Sequence, residues 1–107
     1  DKQKIIPMLA ELQANYLDIT YHNKTHAADL CATFYYFVRS CQLDQKCGMD
    51  ALDIMSYTLA AAAHDVKHPG VNNAFLIEKR DVLANTYHED AVLESHSIAI
   101  LFGILNK

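Results

Sequence analysis

Glycine and proline are scarce, at three and two in 107 residues. An all-β fold needs frequent turns built on such residues, so their scarcity excludes most strand-rich architectures and favours helix. Basic residues are also few: nine lysines and arginines stand against thirteen acidic residues, for a net charge of −4. Without a Lys/Arg cluster there is no electrostatic footprint for a nucleic acid. No apolar run nears the roughly 18 residues that span a bilayer, and no secretory leader is legible, so this segment is expected to have no membrane span. Three cysteines, Cys31, Cys41 and Cys47, are an odd number without metal-finger spacing, which predicts reduced thiols in a cytoplasmic protein. The sequence has no initiator methionine and both ends fall in helix-like stretches. A piece of a longer chain is therefore expected, whose other regions could still attach it to a membrane.

What is present fits a folded domain: 51% hydrophobic and 21% charged residues are ordinary globular values. Residues 4 to 17 place Ile5, Met8, Leu9, Leu12 and Tyr16 at spacings of three and four, an amphipathic helix that tolerates Pro7 in its first turn. Asn23 is placed to cap a second helix running to about residue 39, with Ala27, Leu30, Cys31, Phe34, Phe37 and Val38 inward. Residues 40 to 48 read as a loop. A central helix is predicted over 51–66, ending near His68 because the residue before Pro69 is pushed out of the α region. Asn72 or Asn73 caps a short helix, Asp81 another over 82–87, and Asp90 opens a last helix over 91–105. The prediction is an incomplete all-α, multi-helix bundle, one unit over 1–107 with no internal boundary.

The centre of gravity is the stretch from Leu59 to Gly70, Leu-Ala-Ala-Ala-Ala-His-Asp-Val-Lys-His-Pro-Gly. Such an apolar run reads as a helix buried nearly all round, yet it ends in an imidazole and a carboxylate. Burying polar groups without partners costs roughly 2–7 kcal/mol each. A bound divalent ion satisfies both, since histidine nitrogen and aspartate oxygen are common ligands; a His64–Asp65 hydrogen bond within the core is the alternative. Upstream, His22 and His26 are four apart, the interval that shares a helix face. With Asn23 as the cap, His22 falls just outside the helix, which leaves His26 as a ligand and His22 free to act on a substrate. Asp29 lies three residues beyond His26 and is a candidate to orient its imidazole.

Taken together, Tyr21-His22-Asn23-x-x-His26-Ala27-Ala28-Asp29, then His64-Asp65-x-x-His68-Pro69-Gly70-Val71-x-Asn73-x-Phe75-Leu76-Ile77, then Asp90-x-Val92-Leu93-Glu94-x-His96 strongly resemble the class I cyclic nucleotide phosphodiesterases. The resemblance runs nearly end to end. It implies metal-dependent hydrolysis of 3′,5′-cyclic nucleotides, cAMP, cGMP or both, to 5′-monophosphates by a complete parent enzyme. By resemblance, His22 is the catalytic residue that protonates the leaving 3′-oxygen. His26, His64 and Asp65 match three of four ligands to a tightly held zinc, and Asp65 also bridges to a second ion, magnesium or manganese. His68 and Glu94 match residues around that ion's waters and the catalytic histidine, while Tyr21 and Asn73 match residues lining the phosphate and metal pocket. Paired cations suit this chemistry because they neutralise phosphate charge and activate water.

The sequence also departs from the family pattern. The fourth zinc ligand, the glutamine and the aromatic clamp that hold the purine do not occur within these residues. Ser97 replaces a histidine usual after the Glu94 motif, and Ala74 stands where some relatives carry glutamine. The resemblance covers the first third to half of a catalytic domain, so these residues alone are expected to be inactive, to need the rest of that domain, and to self-associate through uncovered apolar helices. Two other readings are a non-catalytic helical metal-binding or regulatory module, and another phosphohydrolase built on the same His-Asp arrangement.

Overall fold

The computed structural model describes residues 2–107. Seven helices follow one another: α1 (Lys2–Ala14), α2 (Lys24–Ser40), α3 (Leu43–Cys47), α4 (Ala51–Ala63), α5 (Asn73–Glu78), α6 (Val82–Thr86) and α7 (Val92–Leu105). There is no strand among the described residues. No described helix is long and apolar enough to cross a membrane.

Most helix starts are set by local side chains. Asn23 accepts from the Thr25 and His26 amides at 2.9 and 3.2 Å, Asn72 from Phe75 at 2.9 Å and Asp81 from Leu83 at 2.9 Å. These are the orphan donors that a helix start must satisfy. α4 opens with a reciprocal box between Asp50 and Asp53.

Four boundaries differ from the sequence reading. The first helix ends at Ala14 rather than at residue 17. A short helix, α3, occupies part of the stretch read as loop and stops where Gly48 adopts φ +66°. α4 ends at Ala63, three residues early, because the chain tightens: the Val66 amide donates to Ala63 O at 3.0 Å and His68 to Asp65 O at 3.1 Å. The αL conformation of Lys67 (φ 61°) then turns the chain out of helix altogether. Asp90 does not open α7. Ala91 is its N-cap, in αL at φ 42°, with no side-chain cap of its own.

Two buried clusters hold the helices together. Leu12, Ala63, Val66 and Ile104 join α1, the end of α4 and the end of α7. Leu76, Ala84, Val92 and Leu93 join α5, α6 and the start of α7. α7 thus runs through both. The inward face expected for α2 is only partly covered: Ala27 and Val38 are buried, Cys31 and Phe34 half-buried, Leu30 and Phe37 exposed. α4 was expected to be buried nearly all round, yet Ala63 is its one buried residue. Each long helix has more apolar circumference than its neighbours within these residues can cover.

Candidate metal centre

The early end of α4 shapes the site. His64 is its C-cap and Asp65 already lies in the turn, so the two side chains leave the helix at its mouth. The His64 Nδ1 lies 2.9 Å from Ala61 O. A carbonyl only accepts, so Nδ1 carries the hydrogen and, in the neutral ring, Nε2 keeps its lone pair. That Nε2 lies 3.2 Å from His26 Nε2 and 2.9 Å from Asp65 Oδ2, while His26 Nε2 is 3.5 Å from the same oxygen.

Three potential ligand atoms therefore converge with all sides between 2.9 and 3.5 Å. Zinc held tetrahedrally at about 2.0–2.1 Å sets its ligand atoms roughly 3.3 Å apart. The donor set, two imidazole nitrogens and one carboxylate oxygen, and its spacing fit one face of such a site. His26 reaches it from the first turn of α2, because the Asn23 cap fixes where that turn begins.

A second group, His22, Asp65 and His68, also has ligand atoms within 4.8 Å of one another. Here the rings stack, with centroids 3.9 Å apart and planes 18° from parallel. An imidazole lone pair lies in its ring plane, so stacked rings cannot both aim at an ion between them. The geometry suits His22 as a ring held beside the site better than as a ligand. His22 precedes the Asn23 cap and so stands outside α2, half-buried. His68 is oriented by its own loop: the Gly70 amide donates to its Nδ1 at 3.0 Å, with Gly70 at φ +83°, a conformation glycine adopts without strain. Burial first, then the neighbouring His22, push the His68 imidazole below its ordinary value, against the opposing pull of Asp65 and Glu94.

The remaining sequence-predicted residues divide. Tyr21 is exposed and lays its ring 4.7 Å from that of His26 and 4.9 Å from that of His22. Glu94 receives a hydrogen bond from Asn73 Nδ2 at 2.9 Å, which holds its carboxyl below the ordinary value. Asn73 Oδ1 accepts from the Leu93 amide at 3.0 Å. Both ends of that side chain are thus committed to the start of α7. Asp29 is exposed on α2, and among the described residues its side chain makes no hydrogen bond or ion pair; the structure does not bring it to the cluster.

Two residues that the sequence reading gave no part in the site touch the turn beneath it. Tyr16 Oη donates to Ala62 O at 2.9 Å, and Ser97 Oγ donates to Val66 O at 3.2 Å. Tyr16 was legible as an inward position on a helix and Ser97 as a departure from a family motif, but neither pattern encodes a bond to a distant carbonyl.

Known proteins share this sequence and this fold. Residues 21–107 match the sequence profile of the 3'5'-cyclic nucleotide phosphodiesterase family. The chain is 42% identical over 97 residues to the high affinity cAMP-specific and IBMX-insensitive 3',5'-cyclic phosphodiesterase 8 of Drosophila melanogaster, covering 90% of this chain and 11% of that protein. It is 39% identical over 94 residues to phosphodiesterase 8A of Mus musculus, described in the same terms, covering 87% and 11%. Its fold superimposes on the phosphodiesterase domain of the RhoPDE fusion protein from the choanoflagellate Salpingoeca rosetta with a TM-score of 0.91 at 30% identity, over all of this chain and 33% of that one. A second structure of the phosphodiesterase domain of the Salpingoeca rosetta rhodopsin phosphodiesterase gives 0.84 at 29%, with 32% of it covered. The chain thus spans about a tenth of the curated relatives and a third of the solved domains.

Proposed function

The chain belongs to the 3'5'-cyclic nucleotide phosphodiesterase family, and from that premise we propose that it is the metal-binding part of a catalytic domain that hydrolyses a cyclic nucleotide to its 5′-monophosphate. The convergence of His26 Nε2, His64 Nε2 and Asp65 Oδ2 within 3.5 Å carries the reading. These three would hold zinc, and the free oxygen of Asp65 would face a second ion, magnesium or manganese. Ions bound there supply charge neutralisation for the phosphate and Lewis acidity.

The chain's own residues do the rest. Hydrolysis forms a bond from a water oxygen to phosphorus, with release of that water's proton, and breaks the bond from phosphorus to the 3′-oxygen, which leaves as an alkoxide in need of a proton. His22 provides it. The ring stands clear of the helix, stacked on His68, with one nitrogen within 4.8 Å of ligand atoms of Asp65 and His68. A positioned imidazole acting this way contributes about 10²–10⁴-fold. Glu94, held ionised by Asn73, lends negative charge near His68 and favours the protonated imidazole there. Tyr21 lays its ring against those of both His22 and His26. The names of the curated relatives favour cAMP as the nucleotide.

Assaying the complete catalytic domain containing this chain on cAMP, cGMP and nucleotide monophosphates tests the reading. Release of 5′-monophosphate from a cyclic nucleotide, abolished by a chelator, is the expected result. A metal-loaded domain that leaves cyclic nucleotides intact would sink it in favour of a binding module; activity on monophosphates alone would favour another phosphohydrolase. The 107 residues by themselves are expected to be inactive, since they present three ligands and no enclosure for a base.

A further inference from the structure

α4 ends in a turn whose carbonyls have lost their helical partners, the usual condition of a helix C-terminus. Five of them have found another. Ala61 O takes the His64 ring, Ala63 O the Val66 amide and Asp65 O the His68 amide. Those three partners lie within the segment itself and come with its conformation. The other two do not. Ala62 O is bonded by Tyr16, 46 residues away at the exit of α1. Val66 O is bonded by Ser97, 31 residues away on α7. Val66 is fully buried and Ser97 is 4% exposed, the one buried polar residue among those described.

We propose that Tyr16 and Ser97 are positioning residues, a two-sided clamp on the turn 62–66 that sets where His64 and Asp65 present Nε2 and Oδ2 to a divalent cation. The inference rests on the metal reading above. His64 and Asp65 lie between the two clamped carbonyls, so a rotation of either peptide swings both side chains. The cluster tolerates little movement, because its ligand atoms sit only 2.9–3.5 Å apart and a misplaced ligand loses its share of binding. α1 and α7 are themselves tied through the Leu12–Ile104 cluster and the Lys107–Glu11 ion pair, so the two jaws share a rigid frame. The hydroxyls bond carbonyls of the turn, not the side chains of the cluster; they act through the backbone.

Zinc titration of the complete catalytic domain containing this chain, unaltered and as Tyr16→Phe, Ser97→Ala and the double variant, tests this, alongside amide exchange in the metal-free protein. Each hydroxyl removed is expected to raise the zinc Kd roughly five- to tenfold, the worth of one such hydrogen bond, and the double variant to multiply the two. In the metal-free protein, the Val66 and His68 amides should exchange faster. Asp81→Ala removes the cap of α6, far from the turn, and serves as the control: it should lower thermal stability comparably and leave the zinc Kd unchanged. Variants that bind zinc as tightly as the parent overturn the clamp, and so does an Asp81→Ala that weakens zinc as much as they do. If the unaltered domain binds no zinc, the metal reading fails separately. The clamp then stands on faster exchange at Val66 and His68 confined to its own variants, and falls if those rates do not move.

Discussion

Asp65 belongs to both histidine groups, one oxygen lying 2.9 Å from His64 and 3.5 Å from His26 while the carboxylate also falls within reach of His22 and His68. In the complete domain, Asp65→Ala should therefore abolish activity and strip metal, more severely than His26→Ala, which removes one ligand from one ion; elemental analysis of the two purified variants reads the difference. His22→Asn should behave in the opposite way, with full metal content and a kcat lower by about 10²-fold or more. A substrate with a better leaving group should recover part of that loss. Tyr16 offers a check that needs no metal. Burial, foremost, pushes its phenol up to about 12, against about 10 in an unfolded chain. The folded state thus holds that proton more tightly, so its contribution is complete below pH 10 and is lost as pH rises through 12. Melting temperatures measured from pH 9 to 11.5 should fall more steeply in the parent than in Tyr16→Phe. His22, His26, His64 and Asp65 were legible because their chemistry is written in spacing: an imidazole four residues from another, a carboxylate beside an imidazole. Tyr16 and Ser97 were not, since a hydroxyl aimed at a carbonyl 31 or 46 residues away leaves no mark in local sequence.

Among the elements, the same contrast separates caps supplied from within from caps supplied from outside. Asn23 and Asp81 were read correctly as starts, and Asn72 was one of two candidates for the third, because an Asx side chain bonds amides two or three residues ahead. The start of α7 was misplaced on Asp90, since its actual partner, Asn73, sits on another helix and reaches Leu93 and Glu94 across 20 and 21 residues. The end of α4 was read too late because Pro69 is its first stop signal in the sequence, while the backbone has already tightened at Ala63. Asn73→Ala should accordingly cost more than an ordinary cap, which is worth about 0.5–2 kcal/mol. It removes the Leu93 bond and frees Glu94 together. Chemical denaturation of Asn73→Ala beside Asn72→Ala, whose side chain serves only the local start of α5, measures the difference, with the greater loss expected at Asn73.

At the scale of the whole molecule, the radius of gyration is 15.3 Å, against about 13 Å for a compact domain of this length. Tyr35, Tyr36 and Phe37 on α2 and Leu52, Met55 and Tyr57 on α4 lie in the open. Exposed apolar area beyond a few hundred Å² is unusual in a soluble monomer, so the isolated chain should self-associate. Light scattering across a concentration series should show mass rising with concentration, and the complete domain, with further helices on those faces, should not. The all-helical class was readable from the scarcity of turn residues and from the apolar spacings; the openness was readable only as too much apolar surface for too few partners. The borrowed cap of α7 adds a consequence in time. Ala91 sits in a left-handed conformation that L-residues resist, so the first turn of α7 has no local reason to form early. It must wait for the segment around Asn73 to arrive, closing a loop of some 20 residues whose ends meet only by diffusion. In a pulse-labelled refolding experiment, the Leu93 amide should therefore gain protection no sooner than Leu76, making the start of α7 a late-forming part of the second buried cluster.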